Sequence, residues 1–356
     1  MNIYKTKTML AAVKQMEPVH SFLRDRYCPT TTADLFPSEE VLVEHKDGSN
    51  RKMAPVVVDG HDGITVGRNG YKTFRMEPPM VAPKRALTIN DMRKKGFGEA
   101  LFSDMTPDQR AAMLLAQDLT ELDEMHTNRE EYIVSKLMFE NGYTIRQYAD
   151  EHGDAENFKA YEMKFYDGEV NPATYTPGVK WDGSSSDKLA DLYQMIRMLT
   201  TNGNAATDVL LGADAADALL NDEAIKKLLD LNRYDIGSIA PQLMGDGSAA
   251  LLGILNVRGR RMNLITYDGT YEDEVTGEIT PFVPAKSICV TAPGAGRGLY
   301  GCITQTEQGD DSTHSYMGRR VPRYWTDKAG QELRLASRPL FIPKTKNPFI
   351  TATVLD

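Results

Sequence analysis

After Pro107 the chain runs to Asn141 without a glycine or a proline, the longest such stretch in it. Thr106-Pro107-Asp108-Gln109 reads as a capping box with proline at the first helical position, and Gly142 closes the far end. The spacing predicts one helix over 107–141, about 50 Å long at about 1.5 Å per residue. Leu115, Leu119, Leu122, Met125, Ile133 and Leu137 mark a narrow apolar stripe on it. Asp118, Glu121, Asp123, Glu124, Arg129 and Glu130 are expected to hold the other faces in solvent. A helix of this length with one narrow stripe is a coiled-coil strand or a rib across a sheet, and the heptad is too irregular for the first. The fold must therefore offer one rib a surface as long as itself.

The segment before the helix has the opposite character. In DGHDGITVGRNGYKTFR, 59–75, apolar positions are few and Gly60, Gly63, Gly67 and Gly70 interrupt them. Asn69-Gly70 is a type I′ turn signal, and Ile64, Val66, Tyr71 and Thr73 tolerate extended backbone. Pro55, Pro78, Pro79 and Pro83 on the flanks argue against helix. The result is an extended arm far longer than the usual connection of about 4 to 6 residues, with too few apolar partners of its own.

The N-terminal KTMLAAVKQME, 7–17, reads as a short amphipathic helix stopped by Pro18. A second helix is expected over 183–203, with Ser184 to Ser186 as cap and Leu189, Leu192, Tyr193, Ile196 and Leu199 on one face. A strand over 207–212 leads into helices at 213–221 and 222–232, and strands dominate from 249 onward. The C-terminal stretch returns to strands punctuated by Pro339, Pro343 and Pro348. The chain reads as α+β, with a compact region over 183–308.

No arrangement in the sequence carries catalysis. Pro293 to Gly298 lacks the Lys-Ser/Thr of a phosphate-binding loop and leads into a strand, so it reads as a turn. Asp268, Glu272, Asp273 and Glu274 match no calcium-loop spacing and sit at an expected hairpin tip. The six histidines are scattered singly, and His126 on the long helix reads as a partly buried packing residue. Cys28, Cys289 and Cys302 are an odd number at wide spacing, with neither a disulfide framework nor a metal pair. No catalytic residue, cofactor or metal is expected. With 356 residues, 41% of them hydrophobic, the chain can bury a sizeable core, and its net charge of −9 argues against tight or sequence-specific gripping of nucleic acid. The apolar run Met9 to Val13 is broken by Lys14, and no run approaches a membrane span, so a soluble cytosolic product is expected.

Arm, extended loop, rib helix, compact region and returning strands, in that order, resemble the major capsid protein of tailed bacteriophages, the lambda-type major capsid protein E family with the Hong Kong 97-type fold. The resemblance rests on FLRDRYC (22–28), EEVLVEHKDGSNRKMAPVVV (39–58), YKTFRMEPPMVAPKRALT (71–88) and LMFENGYTI (137–145). It is best matched in YDGTYEDEVTGEITPFVPAKSICVTAP (267–293) and SRPLFIPKTKNPFITATV (337–354). It implies an N-terminal arm and entry strand over 1–46, an extended loop over 47–88, and a peripheral domain with the spine helix over 89–182. An axial domain over 183–308 and a C-terminal return to the peripheral domain over 309–356 complete the expected division.

The implied function is a non-enzymatic head protein that self-assembles as pentamers and hexamers into an icosahedral shell around double-stranded DNA, in the virion after assembly in the host cytoplasm. The implied partners are copies of itself, a scaffolding protein, a portal and a decoration protein, with DNA held without sequence specificity and no membrane. Arg51, Lys52, Arg68, Lys72 and Arg75 make the loop basic while Glu121, Asp123, Glu124, Glu130 and Glu131 make the helix acidic. Loop and helix of adjacent subunits are therefore expected to pair, with Phe74 adding apolar contact and Phe22, Arg24 and Arg26 of the arm also at subunit boundaries. Two alternatives stay open, a nanocompartment shell of the same fold around an enzyme cargo and a hydrolase built on Glu272 to Glu274.

Overall fold

In the computed structural model the described residues are 9, 13, 21–46, 53–57, 59, 64–66, 71–87, 106–148, 158–165, 173–183, 185–223, 225–226, 242–244, 248–274, 276–307, 312–327 and 330–356. The chain opens with the short helix α1 (Phe22–Tyr27), followed by β1 (Val41–Lys46), β2 (Tyr71–Met76) and β3 (Lys84–Leu87). The rib helix α2 (Pro107–Glu140) leads into the hairpin β4 (Gly142–Tyr148) and β5 (Phe158–Lys164). Then come α3 (Lys188–Thr201), β6 (Asp208–Leu211), α4 (Ala213–Leu220), β7 (Gln242–Met244), β8 (Ala249–Val257) and β9 (Arg260–Tyr267). A small hairpin, β10 (Thr270–Glu272) with β11 (Ile279–Pro281), precedes β12 (Ser287–Thr291) and β13 (Gly296–Tyr300). The chain closes with β14 (Ile303–Thr306), β15 (Thr313–Tyr316), β16 (Val321–Asp327), β17 (Gly330–Ala336), β18 (Pro339–Pro343) and β19 (Ile350–Thr353).

The rib forms as its caps dictate. Gln109 N–H donates to Thr106 Oγ1 (3.3 Å) while Thr106 N–H donates to Gln109 Oε1 (3.0 Å), with Pro107 in the first turn. At the far end Asn141, not Gly142, takes the left-handed conformation (φ 61°) that stops the helix. Gly142 starts β4 instead, where a Cβ would lie 2.3 Å from the Met163 carbonyl oxygen. α3 starts later than expected, because Asp187 rather than the serine cluster caps it, accepting from Ala190 N–H at 2.9 Å.

The centre of the molecule is a six-stranded sheet in the order β19-β12-β6-β9-β8-β7, in which only β6 and β9 run parallel. Alternation sorts its side chains. Val209, Leu211, Leu264, Ile288 and Val290 face α3 and α4, and Leu210, Ile265 and Cys289 face the opposite way, so both faces are dry. The second face belongs to a core shared with α1, the C-terminal half of α2 (Ile133, Val134, Leu137, Met138), and the β13/β18 pair. The N-terminal half of α2 lies through Leu115, Leu119 and Leu122 on Tyr324, Leu333 and Leu335 of the three-stranded sheet β16-β17-β3. One rib thus spans two sheets.

β19, in the expected C-terminal return over 309–356, pairs with β12 of the central sheet. Two expectations change. Met125, placed on the apolar stripe, is exposed, because the stripe breaks where the rib passes between its two cores. Asp118 and Glu130, expected in solvent, are buried. The expected helix over 7–17 and turn at Asn69-Gly70 lie, apart from Met9 and Val13, outside the described residues, as does most of the helix expected at 222–232. Gly294 turns the chain with φ 67°, and Gly296 and Gly298 let residues 28–30 approach, since a Cβ on either would meet Cys28 Sγ or Thr30 Oγ1 within 2.5 Å.

Candidate functional site

Charge inside the molecule gathers where α1, α2 and the approach to β16 meet. The Glu130 carboxylate is fully buried and accepts from Arg24 Nη1 (2.9 Å), Arg320 Nη2 (3.1 Å) and the Tyr300 hydroxyl (2.9 Å), with Arg319 Nη2 at 3.5 Å. Two turns earlier on the same face of α2, Asp123 accepts from Arg320 Nε at 2.6 Å, so one guanidinium spans both acids. Burial alone would push the Glu130 pKa up, but Arg320, Arg24 and Arg319 together hold it well below the usual carboxylate range.

Glu131 has a different task. Ser21, the N-cap of α1, makes no side-chain capping bond, and the Glu131 carboxylate supplies the cap from another helix. It accepts from Leu23 N–H (2.7 Å) and Arg24 N–H (2.9 Å) and from the Ser21 hydroxyl. Burial pushes its pKa up against these donors. Nearby, His126 places Nε2 2.9 Å from the Leu335 carbonyl, and burial with Arg320 pushes its pKa down to about 4, so it is neutral.

These contacts are made within one chain, and they engage several of the residues expected at subunit boundaries. Arg24 is spent on Glu130, and Arg26 Nε binds the buried Asp208 at 2.7 Å, where Asn263 also donates. Phe22 packs against Tyr27 and Tyr267. Glu121 pairs with Arg85 (2.5 Å), which also holds Asp118 (2.8 Å). Of the helix acids Glu121, Asp123 and Glu124, only Glu124 has no ion pair among the described residues. A local sequence cannot show these ion pairs of Glu130, Asp208, Glu121 and Asp123, because their arginine partners lie far away in the chain. On the loop side Arg75 pairs with Glu40 (2.5 Å), and Lys72 and Phe74 take places in β2 opposite His45 and Val43. Arg51, Lys52 and Arg68 lie outside the described residues.

What the loop does present is apolar surface. Met53 is 93% exposed and Val56 95%, with Val57, Ile64 and Val66 also open to solvent. The acidic hairpin tip offers no hydrolytic arrangement: Glu274 is an ion-pair partner of Arg129, beside a cavity lined by Tyr132 and Tyr271. Among the described residues no cluster of potential metal ligands occurs, and no helix is long and apolar enough to cross a membrane.

The fold is similar to that of a solved prophage capsid protein and a solved phage-related protein. A prophage capsid protein from E. coli CFT073 superposes over 98% of both chains with a TM-score of 0.66 at 14% identity. A phage-related protein from Bordetella bronchiseptica RB50 covers 96% of this chain and 94% of its own, with a TM-score of 0.51 at 8% identity. The SrpI encapsulin of Synechococcus elongatus PCC 7942 covers 98% and 95% at 10% identity, but its TM-score of 0.44 carries no weight for the nanocompartment alternative. No curated protein matches the chain in sequence. The architecture is the Hong Kong 97-type capsid fold, a shell protein's and not an enzyme's. With the sequence profile of phage major capsid protein E matching residues 5–354, the chain belongs to that family.

Proposed function

We propose that this capsid protein assembles as pentamers and hexamers into an icosahedral shell around double-stranded DNA, with its 47–88 loop laid over the neighbouring copy. The observation that carries the reading is the apolar surface of Met53, Val56, Val57, Ile64 and Val66, which stands open in the single chain. Fully burying one such side chain contributes about 1.5–3 kcal/mol, so a few per boundary suffice. Since Glu121 and Asp123 are engaged within their own chain, the loop is held mainly by apolar and backbone contact, and charge pairing is left to Glu124. The central sheet, including β19, forms the domain that gathers around the symmetry axes, and the rib with β16-β17-β3 forms the periphery. A scaffolding protein, a portal and a decoration protein are the further partners, assembly takes place in the host cytoplasm, and the net charge of −9 suits a container that holds DNA without sequence specificity.

Electron microscopy of the purified protein, alone and with the products of neighbouring genes, tests the reading. Val56→Asp/Val57→Asp is expected to stop shell formation while leaving subunit unfolding unchanged. Normal shells from that variant would refute the loop's role.

A further inference from the structure

The central domain carries opposite charge at the two ends of its strands. At one end the β8–β9 turn, with Arg258 at φ 49° and Gly259 at φ 87°, projects Arg258, Arg260 and Arg261, all exposed. Arg197 of α3 joins them: Arg258 Cζ lies 4.5 Å and Arg197 Cζ 6.0 Å from the centre of the Tyr193 ring. None of the four has a carboxylate partner among the described residues. At the other end α4 exposes Asp214 and Asp217, likewise without an ion pair among the described residues. Lys188 and Lys286 do not neutralise them, for Lys188 pairs with Asp222 (3.1 Å) and Lys286 is engaged by the Asp356 carbonyl.

The register sets the two ends apart. β6 runs parallel to β9 with Leu211 beside Thr266, and α4 follows directly, whereas the arginine turn lies at the start of β9. The six residues from Arg260 to Thr266 span about 20 Å at about 3.3 Å per residue, so the arginine turn and the start of α4 lie at opposite ends of β9.

We propose that the arginine end of one copy docks on the Asp214/Asp217 end of the next, a head-to-tail contact that closes rings of the central domain. It rests on the shell reading above and names the surface that joins copies around an axis. A second copy is favoured over duplex phosphate because the same domain carries the matching acids, and arginine suits repeated carboxylate pairing.

The test uses full-length Arg258→Glu/Arg261→Glu and Asp214→Lys/Asp217→Lys proteins at low salt, scored by sedimentation and microscopy. Each double variant should lose about tenfold or more of the shell yield, with wild-type unfolding, and both changes in one chain should restore it. A mixture of the two double variants can satisfy every junction only by alternating, so it should give six-membered rings but not five-membered ones. If wild-type shells form and either double variant matches their yield, or the Arg variant matches it and merely retains less DNA, the contact is overturned while the shell reading stands. Wild-type protein that forms neither rings nor shells overturns both.

Discussion

Replacing Glu130 with alanine takes away the one carboxylate shared by two guanidinium groups that are only 3% and 6% exposed, those of Arg24 and Arg320. Removing one partner of a buried ion pair costs about 3–5 kcal/mol, because the other charge stays desolvated. Here Arg24 keeps Asp25 (2.8 Å) and Arg320 keeps Asp123 (2.6 Å), which moderates the loss, while Tyr300 loses its acceptor. The expected cost is about 3–4 kcal/mol, a large share of a typical stability of about 5–15 kcal/mol. Urea unfolding of the unassembled subunit at neutral pH reads it as a lower midpoint at constant slope. Glu124→Ala, on the exposed face, should stay within about 0.5 kcal/mol of wild type.

Glu130→Gln isolates the charge. Because the folded pKa is depressed, the stabilisation is present above the unfolded value of about 4.3 and is lost as pH falls below it toward the folded value. The gap between wild type and the glutamine variant should therefore narrow on acidification. Glu131, whose pKa moves the other way, titrates in both proteins and cancels from the difference. A loss under about 1 kcal/mol for the alanine variant, or a gap unchanged with pH, would refute the buried-junction argument.

His126 gives acid sensitivity in a different window. Its folded pKa of about 4 lies below the unfolded value of about 6.5, so the unfolded chain takes the proton first, and stability should fall by roughly 3 kcal/mol between those two values. His126→Gln should flatten that limb in urea titrations, and an unchanged limb would place the sensitivity elsewhere. Gly296→Ala should cost about 1–3 kcal/mol, since the new methyl would sit 2.4 Å from Cys28 Sγ and 3.1 Å from the Ile342 carbonyl oxygen. Adding Cys28→Ala should recover part of this, measured as non-additivity in a double-mutant cycle, whereas strictly additive losses would show that the sulfur is not the obstacle.

The rib helix, its N-terminal capping box, the start of the turn at Pro293 and the strands β8 and β9 were legible in the sequence, because each is set by residues within a few positions of one another. The poverty of apolar partners in the loop was legible for the same reason. The fate of the charges was not. Glu130 and Glu124 stand on the same helix in similar polar company, yet one is fully buried among arginines more than a hundred positions away and the other is exposed. That Glu131 caps a helix other than its own, and that the last strand crosses to the central sheet, likewise depends on pairings with no local signature. A carboxylate reads the same in sequence whether water or a guanidinium solvates it. Only the packed chain, by excluding water from that part of the rib, decided which acids hold the molecule together and which remain on its surface.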